Sequence, residues 1–162
     1  MATDNAISVS SPPTRRATRA EWMARLSQAD PLRLEAAWKE LSPAPAHRWL
    51  RPVETGLVML RGRAGGTGQP FNLGEITVTR AAVMLEGPRS GIGFGYVTGR
   101  APRHAELAAL FDALLQEEAS QEGALGALLT DLRLMGEQRR QRRSAEVAST
   151  RVDFTTMVRG DD

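Results

Sequence analysis

The chain has 162 residues, 41% hydrophobic and 25% charged, ordinary values for one globular domain that exclude collagen-like and wholly disordered classes. It has no cysteine and only two histidines, His47 and His104, which excludes disulfides, thiolate nucleophiles, cysteine-held clusters and Cys/His zinc sites. A net charge of +2, from 21 basic and 19 acidic residues, gives too weak an overall field to point to a nucleic acid or a membrane surface.

Residues 1–14 are rich in Ser, Thr, Pro and Asn and read as a disordered tail without the apolar core of a signal peptide, so a cytoplasmic location is the default. Thr18 followed by Glu21 has capping-box spacing, and Trp22, Leu26 and Ala29 line one face of the short helix it starts. Asp30 and Pro31 form a second start signal, an N-cap followed by proline at the first helical position. Leu32, Leu34, Ala36, Ala37, Trp38 and Leu41 supply that helix's apolar content, and a proline-rich joint, with a solvent-facing His47, ends it.

From His47 to Gly99 the hydrophobic period shortens toward two, with Gly and Pro punctuating segments of strand length. Residues 55–64 read as a strand, 65–74 as a ten-residue loop, 75–86 as a second strand and 91–99 as a third. Strands this close together, with no helix between them, pair as an antiparallel meander. Pro102 then opens a helix whose Leu107, Leu110, Phe111, Leu114 and Leu115 form a core-facing stripe. Leu125, Leu128, Leu129, Leu132 and Met135 repeat that spacing in a further helix, which continues into the arginine-rich run 137–143. Val152, Phe154, Thr156 and Val158 alternate like a strand in the last segment. The expected architecture is α+β: an antiparallel sheet of three or four strands, with two helices before it and two after. That domain spans 15–145, and 146–162 is an extended C-terminal arm that docks on a partner.

None of these segments assembles a catalytic or metal-binding group. The glycine loop Gly65, Gly66, Thr67 and Gly68 lacks the lysine and following helix of a phosphate loop, so it reads as a hairpin connection, with ligand or partner contact as the alternative. His104 shares a helical face with Leu107, Ala108 and Phe111 and reads as a hydrogen-bonded core or interface histidine rather than a catalytic base. A stand-alone phosphate- or nucleotide-binding enzyme would need this loop and His104 to converge on one ligand. The run Arg139–Arg143 reads as a solvated helix end or a protein-contact face, because the interleaved aromatics of a nucleic-acid-binding module are missing. The arm either adds a strand to its own sheet or docks on another chain, through Arg151, Val152, Asp153, Phe154, Met157, Val158 and Arg159.

Four blocks, ETGLVMLRGRAGGTGQPFNLGEITVTRAAVML (54–85), GYVTGRAPRHAE (95–106), ALFDALLQ (109–116) and EVASTRVDFTTMVRGD (146–161), together resemble the PhnG family of the bacterial carbon–phosphorus lyase system. The resemblance runs from about Arg19 to Gly160, while the tail and segment 137–143 lie outside the matching blocks. It implies a subunit of a cytoplasmic core complex with PhnH, PhnI and PhnJ, two copies of each. With PhnI, PhnH and the ATPase-like PhnL, such subunits support attack by an alkylphosphonate on the ribose C1 of ATP. Adenine is displaced and α-D-ribose 1-alkylphosphonate 5-triphosphate forms. A later step implied for PhnJ uses an iron–sulfur cluster and S-adenosylmethionine to cleave the C–P bond. The nucleosidase chemistry falls to PhnI, so the resemblance implies an accessory subunit with no catalytic residue, metal or cofactor of its own.

Overall fold

A computed structural model describes residues 16–41, 43–87 and 91–150, the side chain of Glu118 excepted. The expected tail, and the arm residues from Arg151 onward, lie outside the described residues.

Helix α1 is Arg19–Ser27 and α2 is Pro31–Glu40, and both starts are those expected from local chemistry. The Thr18 hydroxyl accepts from the Glu21 amide while the Glu21 carboxylate accepts from the Thr18 amide at 2.7 Å. Asp30 caps α2 by accepting from the Leu32 amide at 2.9 Å. Within α2, Leu34 and Ala37 face the core, whereas Leu32 stays exposed in the first turn.

Strands β1 (His47–Arg63), β2 (Pro70–Leu85) and β3 (Ile92–Thr98) form the antiparallel meander in the order β1-β2-β3. Helices α3 (Pro102–Leu115) and α4 (Gly123–Ser149) follow, giving the expected α+β arrangement among the described residues. Two strands are longer than their sequence suggested. β1 begins at His47, with pairing irregularities on either side of Arg51, where Pro52 has no amide to contribute. β2 begins at Pro70, so much of the segment read as a loop is strand, and the connection narrows to Ala64–Gln69. Glycine composition concealed that strand. α4 also continues through Ser149, so residues 146–149 of the expected arm are helical.

Helix α3 is the centre of the core, with nearly every side chain from His104 to Leu115 buried. One side lies directly on β3, where Gly93 and Gly95 face the backbone of Ala109 and Ala105 so closely that a Cβ at either glycine would overlap it. Its other sides meet α1 and α2, and Trp22 and Leu26 of α1, Leu34 of α2 and Leu125, Leu128, Leu129 and Leu132 of α4 belong to the same core cluster. Phe111 and Trp38 meet edge-to-face at 6.0 Å between ring centroids. The turn into α3 has no side-chain cap of its own. Thr79, fully buried on β2, replaces one: its hydroxyl donates to the Gly99 carbonyl at 2.6 Å and accepts from the Ala101 amide at 3.0 Å. Gly99 supplies the positive φ of +83° that this turn requires.

Two expected placements are corrected. Met135 is 47% exposed, because the core ends at Leu132 and α4 runs on past it. His47 is not solvent-facing: half-buried, it sits edge-on between Trp38 and Trp49, and its Nδ1 lies 3.1 Å from the Pro45 carbonyl.

Candidate functional site

His104 occupies the first turn of α3, on the buried face its spacing indicated. Its Nε2 lies 2.7 Å from the Leu26 carbonyl. A carbonyl brings no proton, so Nε2 carries the hydrogen and donates it. The bond ties the start of α3 to the end of α1, a structural role.

The glycine connection is elsewhere. β3 pairs with β2 only from Val78 to Met84, so beyond Val78 the first two strands continue alone as a two-stranded ribbon. Eight residues of strand carry it roughly 25 Å from the sheet's third strand. Gly65 and Gly66 turn at its tip with φ of +59° and +80°. The Gly68 amide is taken by the Ala64 carbonyl at 3.0 Å, and its carbonyl accepts from Arg63 at 3.2 Å. Gly65, Gly66, Thr67 and Gly68 therefore do not converge with His104.

The structure reveals a polar knot that spacing alone did not suggest. Asp112 is fully buried in the middle of α3. Its carboxylate accepts from Arg19 Nε at 3.1 Å and Nη2 at 2.7 Å, from Trp22 Nε1 at 2.8 Å and from the Phe94 amide at 2.9 Å. The hydrogen bond to Asp112 outweighs partial burial and raises the Arg19 pKa above its already high ordinary value. Arg19 Nη2 also reaches the Ile92 carbonyl at 3.2 Å, and its guanidinium lies 5.7 Å from the Phe94 ring centroid. Odd-numbered residues of β3 bond to β2, as Gly91 and Gly99 show, so Ile92 and Phe94 direct their backbone groups outward. Asp112 and Arg19 thus occupy part of the sheet's free edge and close it to another strand. One signal was present: a single carboxylate within the otherwise apolar run Leu107–Leu115 must find partners when buried.

The arginine run contributes to a groove of about 600 Å³ between α1 and α4. Arg25 of α1 and Arg139, Arg140 and Arg142 of α4 line it, against Asp30 and Glu137. Arg139 is engaged with protein, donating to the Gln28 carbonyl at 3.0 Å and to its side-chain oxygen at 3.2 Å. Among the described residues no cluster of His, Asp and Glu is placed to hold a metal ion, and no helix is long and apolar enough to cross a membrane.

Among the described residues, an extended apolar surface stands out. Leu57, Val58, Met59, Leu60, Phe71 and Leu73 are between 41% and 64% exposed along the ribbon. The sheet face away from the helices adds Leu50, Ile92 and Tyr96. Contiguous apolar surfaces are uncommon on soluble domains and often mark interaction sites.

The chain is similar to known proteins along almost its whole length. A model of the family described as "Phosphonate metabolism protein PhnG" matches residues 17–160. The alpha-D-ribose 1-methylphosphonate 5-triphosphate synthase subunit PhnG of Rhizobium meliloti (strain 1021) is 43% identical over 146 residues, which cover 90% of this chain and 92% of that protein. The matched span takes in every element from α1 to α4 and continues past them, and on that ground the chain belongs to the PhnG family of phosphonate-metabolism proteins.

Proposed function

We propose that this chain is an accessory subunit of a ribosyl-phosphonate synthase, required for displacement of adenine from ATP by an alkylphosphonate. The observation that carries the reading is its 43% identity, over nine-tenths of its length, to a protein named as a subunit of such a synthase. Its own chemistry agrees. With no cysteine it supplies no thiolate to an iron–sulfur cluster, which belongs with S-adenosylmethionine on the radical subunit PhnJ. The partners in this reading are PhnI, PhnH and PhnJ in a cytoplasmic hetero-oligomer with two copies of each, joined by PhnL for the synthase step. PhnI carries the reacting groups, and this chain holds it in a competent assembly. The segment from Arg151 to Arg159 is part of the proposal as a docking element, its Val152, Phe154 and Val158 spaced at even intervals in the sequence.

The test is co-expression with the partner subunits. The full chain should co-purify with a PhnI-like protein, and the assembly should release adenine from ATP in the presence of methylphosphonate only when this chain is included. Deleting 151–162 should leave a folded domain by circular dichroism that no longer joins its partners. A chain that never co-purifies, or a synthase equally active without it, defeats the reading. Micromolar binding of ATP by the lone chain would favour the stand-alone nucleotide-binding alternative instead.

A further inference from the structure

Among the described residues, the ribbon formed by Leu57–Arg63 and Pro70–Thr77 has no third strand paired to it, and its large apolar side chains are exposed. Cross-strand pairing assigns its faces. Thr55 pairs with Thr79, on the helix side of the sheet, so Leu57 and Met59 share that side, and Val58 and Leu60 share the other. Both faces are therefore apolar. An isolated two-stranded ribbon is marginal in water, and one that exposes four consecutive large apolar residues is more costly still. Six such side chains, each about half exposed, leave on the order of 600 Å² of apolar surface open. That is most of the roughly 800 Å² per partner that a stable interface buries.

The two-sided pattern restricts what can cover it. A flat partner surface shields one face and leaves the other wet, so the occupant must have a cleft that closes on both. Among the described residues, the grooves of a second copy fit it poorly. The groove between α1 and α4 is mainly basic, with Arg25, Arg133, Arg139, Arg140 and Arg142 against Asp30 and Glu137, and so disfavours the ribbon's tip, where Arg61 and Arg63 lie. Two further grooves, about 190 and 260 Å³, are below the roughly 300 Å³ of even a small ligand pocket. We infer that the ribbon is an insertion arm that enters an apolar cleft, with carboxylates at its far end, on a different subunit of the synthase. This rests on the reading of the chain as a synthase subunit.

The experiment uses the full chain co-expressed with the other subunits. The double variant Leu57→Asp with Met59→Asp charges one face, Val58→Asp with Leu60→Asp charges the other, and Arg61→Glu with Arg63→Glu reverses the tip. All six positions are exposed or partly so, and each isolated variant should keep the wild-type circular dichroism spectrum and melting temperature. Each face variant should weaken association at least 100-fold, and the tip variant at least 10-fold, with less of that loss at high salt. Wild-type assembly by both face variants overturns the inference while leaving the subunit reading intact. Loss with only one of them replaces the cleft by a flat surface and also overturns it. A wild-type chain that forms a dimer alone, split by the same variants, assigns the ribbon to a second copy and refutes the cleft. Failure of the wild-type chain to assemble at all defeats the subunit reading itself.

Discussion

Replacing Asp112 by alanine should be among the most damaging single changes in this chain. The carboxylate satisfies Trp22 Nε1 in the interior, the Phe94 amide at the partly buried sheet edge, and two nitrogens of Arg19, whose side chain is 42% exposed. Alanine leaves the first two donors without an acceptor, at about 1–3 kcal/mol each, while the Arg19 head turns largely to water. A loss of about 3–5 kcal/mol follows, the range found when one member of a buried pair is removed. For a domain of this size that is a fall in Tm of about 10–20 °C. Asparagine is the sharper control. It has the same shape, but its amide nitrogen must face at least one of the four donors, so it should lose about 1.5–3 kcal/mol rather than restore stability. Urea unfolding of the full chain, followed by tryptophan fluorescence and circular dichroism, measures both. An alanine variant within 1 kcal/mol of wild type, or an asparagine variant equal to it, would show that the four-donor arrangement is not what holds α1 and β3 to α3.

Gly93→Ala and Gly95→Ala should each cost about 2–3 kcal/mol in urea unfolding, since the added methyl meets the α3 backbone, whereas Gly56→Ala, with nothing within 4 Å, should be close to neutral. His104→Ala should lower stability by about 2–3 kcal/mol through the lost bond to Leu26 and the space left behind, while adenine release per assembled complex stays at the wild-type rate. Unchanged melting with lost activity would make His104 catalytic. Glu35 is held below its ordinary value of 4.5 chiefly by its hydrogen bond to Arg103, so its contribution is present above that value and is lost as pH falls through the lowered one. The Tm gap between wild type and Glu35→Gln should therefore be constant near neutrality and close in acid, and a gap that widens in acid contradicts the assignment.

What was legible in the sequence is what neighbouring residues decide among themselves. The capping box at Thr18 and Glu21, the Asp30–Pro31 start and the leucine spacing of α3 all act within one or two helical turns, and all three stand in the structure. Gly65, Gly66, Gly68 and Gly74 look like connection in the sequence, yet strand pairing with β1 extends through Pro70. Met135 continues a leucine period, but what a helix buries depends on where its neighbour ends. His104 could be placed on a buried face from spacing alone. Its acceptor, 78 residues away, could not. The same holds for Asp112 and for the two-sided apolar ribbon, whose meaning depends on β3, among the described residues, ending its pairing at Thr98.

The Asp112 knot also sets a timetable. Trp22 leaves the ribosome 90 residues ahead of the carboxylate it needs. At about 5–20 residues per second, that is a wait of roughly 5–18 s. A nine-residue helix does not hold itself together in water for that interval, so Trp22 and Leu26 stay uncovered until β3 and α3 have been made. α1 is thus made well before the partner it docks on. Changes that loosen its dock will show in the cell as lost soluble yield before they show as lost activity in the protein that survives.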